Sequence, residues 1–392
     1  MKYISILAVA ALAVTTAMAD EVKPKRELTA EEAAADAELA KKYPKPPERK
    51  APNLLNLPPV EPGQKRIDIE EHLAWPKEVG DAVVALWSGN ATGALALSSD
   101  DNHWAGDKRW EEYAERYPSI PVTHVVNTIE PDPLSESIKI RWKELTELGH
   151  QVHSHGNAHW GKHQFETATE AEKRREYAAP VRIIEEATGK KVKAIGYAMG
   201  YGEPEFSKDY YIAGRGGFGA PNDAATTHYM YTASKSGLAD PGFWIQSVLN
   251  HDAKVWGKNY YGGWLSVHLH GLGKGDEWKE AFEEHIIPYV KDGTLWATSF
   301  ANAAMYGQSR DTSKLKVTKN EPKAIAFVLT DDMDDEYFDH PLTVKVRVPN
   351  DWKAVTAKQG GKEVKAKLVE NEGKKFAFVE AVPDRGETVI TP

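Results

Sequence analysis

The 392-residue sequence contains no cysteine. That excludes disulfides, thiolate metal sites, cysteine nucleophiles and lipid attachment through an N-terminal cysteine. Any bound metal must therefore be held by His, Asp or Glu. No phrase such as G-x-G-x-x-G or G-x-x-x-x-G-K-[ST] opens a helix-like segment, which argues against a nucleotide fold. After residue 20 no apolar run reaches the length a membrane-spanning helix needs. A basic surplus is missing as well: the net charge is −9, which argues against a nucleic-acid partner. A chain of this length buries a sizeable core without covalent staples.

The N-terminus has the form of a secretory signal peptide. Lys2 is the positive region, Ile4 to Val14 is almost wholly apolar, and Ala17-Met18-Ala19 is a small-x-small cleavage site. Cleavage before Asp20 predicts a secreted or periplasmic mature protein with no stable membrane insertion. Residues 20–64 are charged, then proline-rich. Thr29-Ala-Glu-Glu32 fits a capping box for a short helix, and the prolines after it predict an extended spacer or an arm laid on the main domain.

From about Ile67 short apolar runs alternate with amphipathic segments. Strands are expected at Gly93–Ser99, Val122–Thr128, Gln151–Ser154, Lys193–Ala198 and Leu265–His270. Helices are expected over Asp107–Arg116, Ser135–Leu148, Thr167–Ala187 and Glu277–Lys291. Such alternation predicts parallel βα units, hence a barrel or a doubly wound sheet, across residues 65–314. Residues 315–392 read instead as a small antiparallel β-domain with charged turns.

Two phrases carry chemistry. "LALSSDDNHW" (Leu95–Trp104) ends an apolar strand on two adjacent carboxylates, Asp100 and Asp101. "GHQVHSHGNAHW" (Gly149–Trp160) places His155 and His159 four residues apart, a spacing that puts both imidazoles on one side of a helical turn. Glycine at position 156 rules out the H-E-x-x-H zinc protease pattern. Both phrases follow predicted strands, the end at which parallel βα folds gather catalytic groups. One Asp with two His makes a three-ligand set with room for water and substrate, and the other Asp becomes a candidate general base. A second Asp pair, Asp331-Asp332, has no paired histidines downstream and reads as a charged loop.

The two phrases resemble the first and second motifs, T-F-D-D-G and H-[ST]-x-x-H, of the polysaccharide deacetylases of the NodB-homology group, carbohydrate esterase family four. The resemblance spans roughly Ile67 to Arg310. It implies a distorted (β/α) barrel, with Asp100 as base and Asp101, His155 and His159 as ligands of a divalent metal. Zinc is the first expectation, with cobalt or nickel as alternatives. In "YAMGYG" (Tyr197–Gly202), Tyr201 and Gly202 match the third motif, and the backbone N–H around Tyr201 is a candidate oxyanion donor. Ala198 stands where the family has the arginine that orients the base, and Arg215 is the candidate replacement cation. In "WLSVHLHGLG", His270 is the candidate general acid, with His268 two residues before it. Trp104 and Trp160, beside the two motifs, are candidate sugar platforms. The implied substrate is an acetylated polysaccharide or oligosaccharide. A hydrolase of the same fold with another substrate, and a catalytically inactive carbohydrate-binding protein, are the two alternatives.

Overall fold

The computed structural model describes residues 27–129 and 134–392. The expected signal peptide, residues 1–19, lies outside them. Among the described residues no helix is long and apolar enough to cross a membrane.

A short strand, β1 (Ala82–Val84), is followed by eight strands of one parallel sheet. They are β2 (Gly93–Asp100), β3 (Thr123–Val126), β4 (Gln151–Ser154), β5 (Ala194–Gly196), β6 (Ala213–Phe218), β7 (Thr232–Ser236), β8 (Trp264–Leu269) and β9 (Leu295–Ser299). Their order is β3-β4-β5-β6-β7-β8-β2-β9. The first half of β2, Gly93–Leu97, pairs with β9, whereas its last three residues, Ser98–Asp100, pair with β3. That second pairing closes a ring of seven strands and leaves β9 beside the entry of β2. The expected distorted barrel is therefore what the chain forms. Every residue of β2 is buried, as a strand enclosed on both faces requires.

The helix expected over Thr167–Ala187 runs from Glu170 to Thr188, and a separate short helix, Lys162–Thr167, precedes it. Thr169 divides them because its hydroxyl accepts the Glu172 N–H and its own N–H is taken by the Glu172 carboxylate, a capping box. Glu277–Lys291 breaks at Ile286, since Pro288 has no N–H to continue the helix. β6 and β7 lie in a stretch where no strand was expected.

The C-terminal region is two antiparallel sheets, ordered β1-β12-β16-β15 and β10-β11-β17-β13-β14. The strands are β10 (Lys314–Glu321), β11 (Ala324–Thr330), β12 (Leu342–Val348), β13 (Thr356–Gln359), β14 (Lys362–Val364), β15 (Ala366–Asn371), β16 (Lys374–Ala381) and β17 (Thr388–Thr391). β1 belongs here and not to the barrel: Val84 pairs with Val344 of β12. One apolar cluster runs from barrel residues Ala94, Trp264 and Phe300 to Val344, Phe327 and Ile390 of the sheets. The connecting helix Phe300–Thr312 is buried along most of its length. From it, Tyr306 donates to the Ala85 carbonyl at 2.9 Å and Arg310 to the Leu86 carbonyl at 2.8 Å.

Thr29 and Glu32 form the expected capping box on the helix Ala30–Lys42. The proline-rich arm then lies on the main body. The Asn56 side chain donates to the Tyr211 carbonyl at 2.9 Å, the Leu57 N–H donates to the Gln308 side chain at 2.8 Å, and Leu55 and Leu57 are buried.

Candidate metal centre

The C-terminal ends of β2, β4, β5, β6 and β8 meet around one cluster of polar side chains. Asp100 is the last residue of β2 and is buried. Asp101, which follows it, has φ 69°, a left-handed value that turns its carboxylate away from the strand course. The Asn102 side chain fixes this corner by donating to the Asn127 carbonyl at 2.8 Å.

His155 and His159 do not sit on a helical turn. They belong to a loop between β4 and the helix Lys162–Thr167, with positive φ at Gly156 (81°) and His159 (56°). The loop brings the rings together at a centroid separation of 5.0 Å. A helix cannot form here because several N–H groups of the loop bond outside it. The His155 N–H donates to the Val126 carbonyl at 2.8 Å, the Asn157 N–H to the Glu176 carbonyl at 3.1 Å, and the Ala158 N–H to the Glu176 carboxylate at 3.1 Å.

Asp101 Oδ1 lies 3.8 Å from His155 Nε2 and 3.6 Å from His159 Nε2. One donor atom from each of the three residues falls within 4.8 Å of the other two. His155 Nδ1 is 2.6 Å from the Gly196 carbonyl, so Nδ1 carries the proton and the Nε2 lone pair faces Asp101 and His159. Burial, with the nearby Arg215 cation and against the pull of Asp100, holds His155 below the usual histidine range. A neutral imidazole with its free nitrogen aimed at a carboxylate and a second imidazole fits a divalent metal of intermediate softness.

Asp100 faces the other way. Arg215, inside the barrel on β6, donates from Nη2 to Asp100 Oδ1 at 2.6 Å, and both side chains are almost fully buried. Burial alone would push the Asp100 carboxyl up. Arg215, then His155 and His268, outweigh it and hold the group below its ordinary value. Ala198 is buried and supplies no cation. The guanidinium comes instead from the neighbouring strand, and Gly196 makes room for it, since a Cβ there would lie 2.6 Å from Arg215 Nη2.

His270 lies just past the end of β8 and is exposed, whereas His268 is buried within it. Their ring centroids are 6.0 Å apart. His268 Nδ1 is 2.8 Å from the Ser234 hydroxyl, and burial, reinforced by Arg215, lowers its pKa to about 4. Trp104 packs over Gly271, next to His270, where a Cβ would lie 2.6 Å from the indole. Trp160 sets its ring edgewise on Phe165 at 5.5 Å, beside His159. The Tyr201 N–H donates to the Ala198 carbonyl at 3.0 Å, so the donor expected for an oxyanion is engaged in a turn.

The Asp331-Asp332 pair lies in a loop as expected. Asp331 accepts the Met333 N–H at 2.8 Å, and Asp332 pairs with Lys314 at 2.9 Å. Among the described residues the Asp101, His155 and His159 group is the one set able to hold a metal ion. Sequence reasoning missed Glu176, a buried carboxylate under the ligand loop. Its signal was present but indirect: a proline, Pro180, stands four residues after it in the same helix.

No family model matches the chain. A curated protein, a gellan lyase from a Bacillus species, is 31% identical over 364 residues, covering 86% of this chain and 14% of the lyase. The chain therefore spans about one seventh of that relative. Similar solved structures include a family 4 carbohydrate esterase from Bacillus anthracis, 14% identical with a TM-score of 0.32, covering 59% of this chain and 86% of the other. The family 4 esterase domain of a multidomain xylanase from the hindgut metagenome of Trinervitermes trinervoides is also 14% identical, with a TM-score of 0.32 and coverages of 53% and 88%. A family 4 pseudoenzyme from Bacillus anthracis is 15% identical, with a TM-score of 0.36 and coverages of 55% and 66%.

Proposed function

We propose that the protein is a secreted, metal-dependent deacetylase that removes acetyl groups from a polysaccharide, of the NodB-homology type its motifs resemble. The observation that carries this reading is the division of labour between adjacent carboxylates. Asp101 joins His155 and His159 in one donor set, while Asp100 is gripped by Arg215 and kept ionised beside it. The curated relative is named for a polysaccharide, which supports a carbohydrate substrate.

Asp101, His155 and His159 would hold the metal, with zinc the best match to two imidazoles and a carboxylate. When bound, a divalent ion polarises an acetyl carbonyl and makes water more acidic. The chain's own groups do the rest. Arg215 occupies Asp100 Oδ1, leaving Oδ2 to take a proton from the attacking water as the new C–O bond forms. His270, exposed at the rim, gives a proton to the leaving amine or hydroxyl as the acetyl bond breaks, so acetate and the free sugar group are the products. His268 stays neutral near pH 7 and shields the Arg215–Asp100 pair without donating a proton. Trp104, packed beside His270, and Trp160, next to His159, are the faces on which a sugar ring would stack.

The experiment is acetate release from a panel of N- and O-acetylated glycans, with and without a chelator, for wild type and Asp100→Asn. Loss of release under either treatment is expected, with recovery on adding zinc back after the chelator. Release that survives both would refute the mechanism. The relative's name, a lyase, favours one second reading, cleavage of a glycan by elimination. The same digests separate the two, because elimination leaves unsaturated, ultraviolet-absorbing chain ends and no acetate.

A further inference from the structure

We infer that Glu176 and Pro180 together form a clasp that sets the position of the metal-ligand loop, which makes Glu176 a positioning residue for His155 and His159. The inference rests on the reading of these two histidines as ligands.

The helix Glu170–Thr188 has a proline inside it. In an uninterrupted helix the N–H of residue 180 would donate to the carbonyl of residue 176. Pro180 has no N–H, so the Glu176 carbonyl is left open, in a helix interior where it would otherwise lack a partner. The Asn157 N–H fills it at 3.1 Å. The side chain of the same residue turns to the same loop. Both carboxylate oxygens of Glu176 lie 3.1 Å from the Ala158 N–H, and the Trp160 N–H also donates to the carboxylate. One helical residue thus holds Asn157, Ala158 and Trp160, the segment that contains His159 and directly follows His155. Glu176 is 1% exposed, so the hold is shielded from competing water.

Gly156 completes the fit. A Cβ there would lie 2.4 Å from Glu176 Oε1, and its φ of 81° suits glycine. The far side of the loop is tied independently, by the Asn127 side chain to the His155 carbonyl at 2.8 Å and by the Thr128 hydroxyl to the Asn157 side chain at 2.9 Å. These bonds hold the His155 end. At the His159 end, where Ala158 and His159 are exposed, the Ala158 and Trp160 N–H groups bond to Glu176.

Pro180→Ala is the sharpest test because helix stability and loop order should move in opposite directions. The substitution restores the helical N–H, which then competes with Asn157 for the Glu176 carbonyl. The urea midpoint of Pro180→Ala should be equal to or above that of wild type, while amide exchange at Asn157 and Ala158 accelerates at least tenfold. Competition with a chromophoric chelator should show zinc bound at least tenfold more weakly. Glu176→Ala should weaken zinc about a hundredfold, and Glu176→Gln, which keeps the shape and one acceptor oxygen, should recover part of that loss. The visible absorption of bound cobalt should change in shape in all three variants, reporting altered ligand geometry without reference to activity. Exchange rates and zinc affinities within twofold of wild type for both Pro180→Ala and Glu176→Ala would overturn the inference. Should wild type bind no metal, the deacetylase reading fails, and the exchange rates alone then decide whether the clasp exists.

Discussion

Replacing Arg215 by methionine tests the electrostatic core of the site most directly. Arg215 and Asp100 are 2.6 Å apart, with side-chain exposures of 5% and 6%. Neither charge reaches bulk water, so removing one strands the other. Breaking a buried pair in this way costs about 3–5 kcal/mol, because an uncompensated charge remains in a poorly polarisable interior. With a urea dependence of about 3 kcal/mol per molar, that is a midpoint fall of about 1–1.7 M at neutral pH. The sign of the pH dependence is also fixed. In wild type the Asp100 carboxyl is held below its ordinary value, so its share of stability is present above the unfolded pKa and is lost on acidification. Without Arg215 the largest opposition to burial is gone, and the group moves above its unfolded value. Its stability share is then greatest at acid pH and is lost as pH rises through the new pKa. The deficit of Arg215→Met should therefore be large at pH 8 and small at pH 4. Acetate release should fall at pH 7, with the acidic limb of its pH profile displaced upward. Adding Asp100→Asn to Arg215→Met should recover about 2 kcal/mol or more relative to the sum of the single effects, since no charge is then stranded. A double variant that is simply additive, or a deficit equal at pH 4 and pH 8, would refute the claim that the two groups act as one buried pair.

Three further outcomes follow from the same geometry. His159 is half exposed whereas His155 is buried against Gly196, so His159→Ala should leave the metal-free unfolding free energy within about 0.5 kcal/mol of wild type while zinc affinity drops about a hundredfold; an unchanged affinity would remove His159 from the ligand set. Gly271→Ala places a Cβ 2.6 Å from the Trp104 indole at a φ of 78°, which should displace both Trp104 and His270, lowering acetate release about tenfold with zinc binding intact, as calorimetry on the same samples would show. In the β-domain, burial raises Asp331 to about 6, so its contribution to stability is full below pH 3.8 and lost as pH rises through 6; Asp331→Asn should abolish that decline and leave the variant about 1–3 kcal/mol more stable than wild type at pH 8, measured by paired urea titrations at pH 4 and 8.

How far such a site is legible beforehand depends on what each residue interacts with. β2, β5 and β8 show in the sequence because they are largely apolar runs buried on both faces, and β3 and β4 because a short buried apolar stretch sits between helical segments. β7, Thr-Ala-Ser-Lys-Ser, has one apolar residue in five and does not; nor does β6, Ala-Gly-Arg-Gly-Gly-Phe, where the reason is steric. A Cβ at Gly214 would lie 2.5 Å from the Tyr197 hydroxyl, and one at Gly216 would lie 2.7 Å from the Tyr231 ring. Close packing by neighbouring aromatics has replaced the apolar period from which strands are read. β1 was equally hidden, since three apolar residues do not specify a partner more than 250 positions later. Within the site, spacing alone suggested that His155 and His159 shared a helical turn. The pair is instead held by a glycine at positive φ and by hydrogen bonds from a distant helix, information that no local window contains. Arg215 was named from the sequence as the replacement cation, but its approach to Asp100 depends on Gly196 lacking a side chain, which only the fold reveals. The motif residues and the cation Arg215 were thus readable one by one, whereas Glu176 and the hydrogen bonds that hold the ligand loop were not. A residue that contacts substrate is restricted by chemistry and leaves a type-and-spacing signature. A residue that orients it is restricted only by geometry, and different strands can supply the same cation. Arg215 acting from β6, in the place of an arginine expected on the segment after β5, is that freedom made visible.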